Sequence, residues 1–186
     1  MDRLNQPERR PRRSSATEAI QTVLIAVILA LVIRGFVFEP YVVEGYSMEP
    51  TLWNGEHVLI DKLGWHLTGL HYGEIVVFHP PLPTNQDFIK RVIATAGQTV
   101  SMTNGVVFVN GHKMPEPFLL HDGTSYQDHF NLAPEKVLPG HIFVLGDHRA
   151  ASEDSRFFGQ VPVGQVDGVA FFILWPFSDF GAVPRA

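Results

Sequence analysis

An apolar run close to the N-terminus places the strongest constraint on how this chain folds. Residues 20–38 are almost entirely apolar, and they follow a tail with five arginines at residues 3–13. As a helix, these 19 residues would extend about 28 Å at roughly 1.5 Å per residue, close to the thickness of a hydrocarbon core of about 30 Å. The run predicts a single transmembrane anchor over residues 19–38, followed by a separate folded domain.

Two other interpretations of this run compete with an anchor. A cleaved secretory signal needs a small-residue cleavage site, and the sequence around Arg34 offers a poor one. A buried core helix remains an alternative for the cleanest stretch, residues 23–33. The adjacent arginines favour an uncleaved anchor, with a basic tail at residues 1–18 in the cytoplasm and residues 39–186 outside.

The charge distribution limits the partners of the outer part. Residues 1–38 carry six arginines against three acidic residues, whereas residues 39–186 carry sixteen acidic against eight basic residues. Nucleic-acid binding needs a basic surface to neutralise phosphates. The acidic composition of residues 39–186 therefore predicts no nucleic-acid partner.

The inventory of metal-binding residues predicts neither a metal nor a cofactor. Cysteine is absent, which excludes disulfides, thiolate catalysis and cysteine-ligated metals. The nine histidines are scattered and form no His-Glu-x-x-His pattern. The segment after residue 145 also lacks the acidic spacing of a calcium-binding EF-hand loop.

Short apolar or alternating runs separated by turn residues predict a mainly β chain beyond the anchor. These runs are residues 57–60, 74–78, 88–93, 106–109, 141–145 and 169–174. Asn104-Gly105 and Asn110-Gly111 flank one of them and predict hairpin turns. The looser stretch at about residues 99–139 predicts a smaller β subdomain inserted into the extracytoplasmic β-rich core.

Three segments concentrate residues that chemistry could use, and the first is residues 44–52, just after the anchor. It contains Ser47 between Gly45 and Pro50. Taken alone, this serine is consistent with an ordinary turn. It is not the Gly-x-Ser-x-Gly elbow of α/β-hydrolases, because Glu49 occupies the second glycine position.

The second segment is residues 87–93, where Lys90 falls inside an apolar strand pattern. One interpretation is an edge-strand lysine that extends to solvent. The other is a desolvated lysine whose lowered pKa lets it accept a proton. The third segment, residues 146–159, follows a buried strand and is dense in small polar and charged residues. It is consistent either with a solvated turn or with a loop held by its own hydrogen bonds and ion pairs.

Together these segments resemble the signal peptidase I family. Residues 45–52 look like its serine motif, residues 88–93 like its lysine motif, and residues 146–156 like its third signature. Their order, the basic-tailed anchor and the serine just beyond the membrane all agree, and the resemblance covers residues 18–176.

The resemblance implies a serine endopeptidase with a Ser/Lys dyad. Ser47 would attack the scissile carbonyl while neutral Lys90 takes its proton, and an acyl-enzyme would then be hydrolysed. Ser152 matches the family serine that hydrogen-bonds and orients the lysine. Four further residues match positions that brace the surrounding loop: Asp147, Arg149, Asp154 and Arg156.

The sequence departs from many relatives around the oxyanion hole. Certain members have Ser or Thr two residues before the nucleophile, whereas this chain has Gly45, so only the Ser47 N–H is identified as a donor. His148 stands where Asn is frequent, and Ala150-Ala151 where a polar pair is frequent. These departures concern the hydrogen bonding of the loop and not the dyad.

By resemblance, the substrates are the signal peptides of exported preproteins, cut after a small-x-small sequence. The walls of the shallow apolar pockets are matched by Tyr41, Val43, Met48, Leu52, Phe88 and Ile89. The substrate would lie extended beside the strand that carries Lys90. We expect a single-pass protein of a bacterial plasma membrane, in contact with the lipid bilayer and close to the protein export machinery. The apolar segment at residues 171–177 would rest on lipid or pack in the core.

Three rival functions remain open from the sequence alone. A related Ser/Lys protease, such as an organelle processing peptidase or a lipoprotein-cleaving enzyme, would share the anchor and motifs. A catalytically inactive membrane-tethered β module is disfavoured by the presence of Ser47, Lys90 and Ser152. A histidine-based serine hydrolase is the third alternative.

Overall fold

The computed structural model describes residues 15–121 and 124–185. Residues 1–14, which hold most of the predicted basic tail, lie outside the described residues. The first element is helix α1, Ser15–Phe36. Its large apolar side chains are exposed at every turn, with Ile20 67% and Leu31 63% exposed. Over the described residues, no helix combines the length and apolar character needed to cross a membrane.

In the rest of the described chain the regular secondary structure consists mostly of strands, which confirms the prediction of a mainly β protein. Along the chain the strands are β1 Phe38–Val42, β2 His57–Asp61, β3 Ile75–Phe78, β4 Phe88–Thr95, β5 Thr99–Thr103, β6 Val106–Val109, β7 His112–Lys113, β8 Leu120–His121, β9 Thr124–Ser125, β10 Leu132–Lys136, β11 His141–Leu145, β12 Val161–Pro162, β13 Val166–Trp175 and β14 Gly181–Ala182. Short helical turns occur at α2 Gly64–Thr68 and α3 Ser155–Phe158, and as 3-10 turns at Pro117–Leu119, Arg149–Ala151 and Val163–Gln165.

The larger sheet has the strand order β1-β2-β13-β3-β4-β11-β12, with β14 added beside β13. All of its pairings are antiparallel. Strands β4 and β11 are neighbours in the larger sheet. The stretch of sequence between them forms a smaller sheet, β10-β5-β6-β7, and the β8–β9 pair. The predicted Asn-Gly hairpin is confirmed, because β5 and β6 pair across Asn104 and Gly105, whose φ angles of 50° and 79° suit a tight hairpin turn.

Alternation along β3 shows how the larger sheet buries both of its faces. Ile75 and Val77 belong to one apolar cluster, whereas Val76 and Phe78 belong to another. The first cluster also contains Met48 and Leu52 from the segment around Ser47. That segment is therefore held on the sheet by its own apolar side chains.

Strand β4 is paired unequally on its two edges. On one edge it pairs with β3 from Phe88 to Arg91. On the other, pairing with β11 begins only at Arg91, opposite Leu145. Among the described strands, none covers the Phe88–Lys90 stretch on the β11 side. This stretch is therefore an open sheet edge beside which another strand could be added.

Candidate active site

Ser47 stands on a tight turn whose apolar side chains point into the core. The N–H groups of Thr51 and Leu52 both donate to the carbonyl of Met48, at 2.9 Å each. Met48 is 1% and Leu52 0% exposed. We expected these two residues to form pocket walls, but the turn directs them inward, and they support the serine from beneath.

Lys90 meets Ser47 although 43 residues separate them. Its Nζ atom lies 2.8 Å from Ser47 Oγ and 3.0 Å from the carbonyl oxygen of Ile89. The ammonium group also lies 5.1 Å from the centroid of the Phe88 ring. Lys90 is only 4% exposed, so this is a buried side chain and not an edge-strand lysine that extends to solvent.

Burial lowers the pKa of Lys90 to about 8, because the charged form loses its hydration. The carboxylates of Asp154, Glu153 and Asp147 act in the opposite direction and limit the shift. A useful fraction of Lys90 is therefore neutral near physiological pH. A neutral amine at hydrogen-bonding distance from a hydroxyl can take its proton.

The third sequence segment folds around the carboxylate of Asp154, which is fully buried. Its Oδ2 atom accepts hydrogen bonds from the Ser152 hydroxyl at 2.8 Å and from the Gly146 N–H at 3.0 Å. The Arg156 guanidinium donates to both carboxylate oxygens of Asp154, from Nε to Oδ1 at 2.7 Å and from Nη2 to Oδ2 at 2.8 Å. The Ser152 hydroxyl thus donates to Asp154, while Lys90 Nζ is bonded to Ser47 and Ile89.

Gly146 lies where the third segment packs closely against the segment around Ser47. A Cβ atom at this position would lie 2.2 Å from Ser152 Oγ and 2.6 Å from the Ser47 carbonyl oxygen. Both distances are far below van der Waals contact, so any larger residue would force the two segments apart. The glycine is required by close backbone approach.

Arg91 is a site residue that sequence reasoning did not select. It is fully buried and donates to Asp147 Oδ1 at 2.9 Å and Oδ2 at 2.7 Å. It also donates to Thr51 Oγ1 at 3.2 Å and to the carbonyl of Gly73 at 2.6 Å. This one side chain joins the serine, lysine and third segments. Its signal in the sequence is the adjacency of Lys90 and Arg91 in an apolar strand, where two successive side chains cannot both face solvent.

Two more buried arginines bind the third segment to the stretch between β4 and β11. Arg149 pairs with Glu116 and donates to the Gly146 carbonyl at 2.9 Å. Arg156 pairs with Asp128 as well as with Asp154. The acidic partners at 116 and 128 had no recognisable pattern in the sequence.

An open groove of about 520 Å³ runs past Ser47 and Lys90. Four of the six predicted pocket residues line it, namely Tyr41, Val43, Phe88 and Ile89. Three carboxylates, on Glu44, Asp87 and Glu153, also face it. Within the described parts of the chain, no three potential metal ligands lie close enough together to hold an ion.

Comparison with known proteins identifies the family of this chain. The family described as "Signal peptidase, peptidase S26" matches residues 16–175. The chain therefore belongs to that family of signal peptidases, which confirms the resemblance drawn from the three motifs. It is a serine protease of the signal peptidase I type.

Several named relatives are similar over most of their length. The probable signal peptidase I-1 of Synechocystis is 37% identical over 171 residues, covering 88% of this chain and 85% of the relative. Signal peptidase IB of Staphylococcus aureus is 38% identical over 176 residues, covering 88% and 91%. The crystal structure of a signal peptidase I from Enterococcus faecalis is 30% identical with a TM-score of 0.46, covering 54% of this chain and 95% of that one.

Removing the carboxylate that pairs with Arg91 should destabilise the fold strongly. Asp147→Asn leaves a buried guanidinium without its counter-charge, and we expect a loss of about 3–5 kcal/mol in the free energy of unfolding. Urea denaturation followed by tryptophan fluorescence measures this change. Glu153→Gln is the control, because that carboxylate is exposed and its loss should stay within about 0.5 kcal/mol. Equal effects of both variants would contradict a dominant role for the buried pair.

Proposed function

We propose that this chain removes signal peptides from exported preproteins, with Ser47 as the nucleophile and Lys90 as the general base. The observation that carries the residue assignment is the 2.8 Å contact between Lys90 Nζ and Ser47 Oγ, made by a buried lysine at the wall of an open groove. Signal peptidases are the named relatives of the chain, which supports the choice of substrate class.

The proposed reaction needs only these two side chains and the backbone around Ser47. Neutral Lys90 takes the Ser47 hydroxyl proton as Oγ attacks the scissile carbonyl carbon. The resulting ammonium returns the proton to the leaving amine as the peptide bond breaks, and an ester on Ser47 remains. Water, deprotonated by Lys90, then releases the signal peptide. The Ser47 N–H donates to the oxyanion formed in both steps.

The third segment has a supporting role in this proposal. Asp154 accepts hydrogen bonds from Ser152, Gly146 and Arg156. Asp147 accepts from Arg91, the residue that follows Lys90 in β4. We propose that five residues keep the base and the nucleophile at hydrogen-bonding distance: Ser152, Asp147, Arg149, Asp154 and Arg156. Such precision matters, because an error of about 1 Å can cost roughly 100-fold in rate.

The substrate is proposed to bind as an extra strand. The uncovered edge of β4 at Phe88–Lys90 offers backbone hydrogen bonds to an extended peptide, which would bring its scissile bond to Ser47. The apolar walls formed by Tyr41, Val43 and Ile89 would contact alternate side chains.

A histidine-based mechanism finds no support in the contacts of the nucleophile. Among the described residues, His148 hydrogen-bonds to this segment: its ring lies against the Tyr46 carbonyl, and its backbone N–H donates to the Ser47 carbonyl. The group at the Ser47 hydroxyl is Lys90.

We further propose that residues 19–38 anchor the protein in a bacterial plasma membrane, with residues 1–18 cytoplasmic and residues 39–186 outside. None of the described helices is long and apolar enough to cross a membrane, so the proposal rests on other observations. The basic tail adjoins the apolar run. Along α1, Val23, Leu24 and Ile25 are 63%, 58% and 65% exposed, although they face different directions. A helix with apolar side chains exposed all round is suited to lipid.

The aromatic residues near the groove support a second contact with lipid. Trp175, Phe177 and Phe180 are 50%, 74% and 57% exposed and pack against one another. Strand pairing places Trp175 opposite His57, which in turn lies opposite Val42 at the groove. We propose that this aromatic cluster rests on the bilayer and presents the groove to membrane-bound preproteins, close to the export machinery.

Cleavage of a preprotein in detergent tests the two assigned residues. Ser47→Ala and Lys90→Met should each lower kcat/KM by about 10⁴-fold or more, because the nucleophile and its base act as a unit. Lys62→Met is the matched control, since Lys62 pairs with Glu39 away from the groove and should leave activity unchanged. N-terminal sequencing of the product should place the cut after a small-x-small sequence. Activity retained by Lys90→Met would assign the base to another group.

The pH dependence of the same reaction tests the desolvation of Lys90. Only the neutral amine can act as base, so kcat/KM should rise with pH through about 8, the lowered pKa of Lys90, and level off above it. An ordinary lysine would place this limb near pH 10.4 instead, at about its unperturbed pKa. A limb at that higher value would contradict the burial of the base in the working enzyme.

Membrane extraction tests the anchor. The full chain should stay in the membrane pellet after alkaline carbonate washing, and protease added outside spheroplasts should digest residues 39–186. The double variant Leu24→Arg with Ile28→Arg places two charges in the middle of the run, at about 3 kcal/mol each, and should be extracted. Extraction of the unaltered chain, with cleavage activity intact, would overturn the anchor and leave the proposed reaction standing.

A further inference from the structure

His148 contacts the backbone of the nucleophile segment at two successive peptide units. Its own N–H donates to the Ser47 carbonyl at 3.0 Å. Its ring atom Nδ1 lies 3.3 Å from the Tyr46 carbonyl oxygen. A carbonyl oxygen can only accept, so this contact assigns the hydrogen to Nδ1. The third segment thus holds both carbonyls that flank the Ser47 backbone.

The contact with Tyr46 has a consequence for the other side of the same peptide plane. The Tyr46 carbonyl and the Ser47 N–H belong to one planar peptide unit, and this peptide bond is trans. In a trans peptide the C=O and the N–H point in opposite directions. A donor that fixes the Tyr46 carbonyl therefore also fixes the direction in which the Ser47 N–H points.

That N–H is the oxyanion donor of the proposed mechanism, and Gly45 contributes no side-chain donor beside it. The orientation of the remaining donor is then all the more important, because donors must be aimed at the position where negative charge develops. A hydrogen bond accepted by the carbonyl of an amide also polarises its N–H and strengthens donation. Both effects act on the transition state more than on the bound substrate.

The ring of His148 is itself held in place. It meets the ring of Tyr126 edge-on, with centroids 4.8 Å apart and an interplanar angle of 84°. The Tyr126 carbonyl accepts a hydrogen bond from the N–H of Arg149, the residue after His148, at 3.0 Å. Tyr126 belongs to the stretch between β4 and β11. This stretch therefore supports the residue that contacts the nucleophile segment.

We propose that His148 is a positioning residue that orients the Ser47 N–H toward the oxyanion by binding the Tyr46 carbonyl through Nδ1. The proposal rests on the assignment of Ser47 as nucleophile. Asparagine is the conservative replacement for this histidine. Both side chains attach a nitrogen directly to Cγ, so both can present an N–H at the same distance from the backbone.

The test compares four forms of the full-length protein in detergent: wild type, His148→Leu, His148→Asn and His148→Gln. His148→Leu keeps bulk but removes the donor, and we expect kcat to fall about tenfold with KM unchanged. His148→Asn restores a donor on Cγ and should recover kcat to within about threefold of wild type. His148→Gln carries the same amide one bond further out and should resemble His148→Leu.

Binding of a peptide aldehyde distinguishes a positioning role of His148 from a purely structural one. Its adduct with Ser47 places an oxygen at the oxyanion position, whereas an uncleavable peptide of the same sequence probes ground-state binding. We expect His148→Leu to weaken aldehyde binding about tenfold and to leave binding of the uncleavable peptide unchanged. If His148→Leu fails to fold, as judged by its Tm, the comparison of Asn with Gln carries the test.

The proposal is overturned if kcat is unaffected in His148→Leu, if Asn and Gln behave alike, or if both ligands weaken equally. These outcomes are distinct from failure of the proposed function. If the proposed function were wrong, the wild type would not cleave a preprotein, or Ser47→Ala would cleave it normally.

Discussion

The buried pair of Arg91 and Asp147 is the interaction on which the rest of the site depends. A charged side chain inside a sheet is costly unless its partners satisfy it fully, and Arg91 achieves this with a bidentate carboxylate, Thr51 and a backbone carbonyl. Because its partners come from separate segments, the pair requires those segments to be in place at once. Lys90 precedes Arg91 in the same strand, so the position of the base follows from the position of this pair.

The two neighbouring cations show how burial produces different chemistry in similar surroundings. Both side chains are almost inaccessible to solvent, yet Arg91 has a carboxylate in direct contact, whereas Lys90 has a hydroxyl and a carbonyl. Arginine keeps its charge at any pH a protein experiences, while lysine can lose its proton when desolvated. Exchange of the two residue types would therefore remove the base, even though the net charge of the strand would not change.

The sequence allowed some features to be predicted and concealed others for identifiable reasons. Alternating apolar residues located most strands of the larger sheet, and Asn104-Gly105 located a hairpin, because these signals are local. Ser47 and Lys90 were selected by family motifs, and the structure brings them into contact. Met48 was predicted to line the pocket but is buried in the core. Its residue type suits both positions, and only the tight turn after Ser47 decides which way the side chain points. Glu116 and Asp128 were missed because their arginine partners are far away along the chain.

The uncovered edge of β4 has a consequence for the end of the catalytic cycle. In the proposed mode of binding, backbone hydrogen bonds at Phe88–Lys90 would not distinguish a substrate from the segment that remains after the cut, since both present the same peptide groups. The released leader would therefore compete with the next preprotein for the vacant strand position. Product inhibition is built into this mode of recognition. Sustained turnover then depends on removal of the leader, by degradation or by its escape into the lipid.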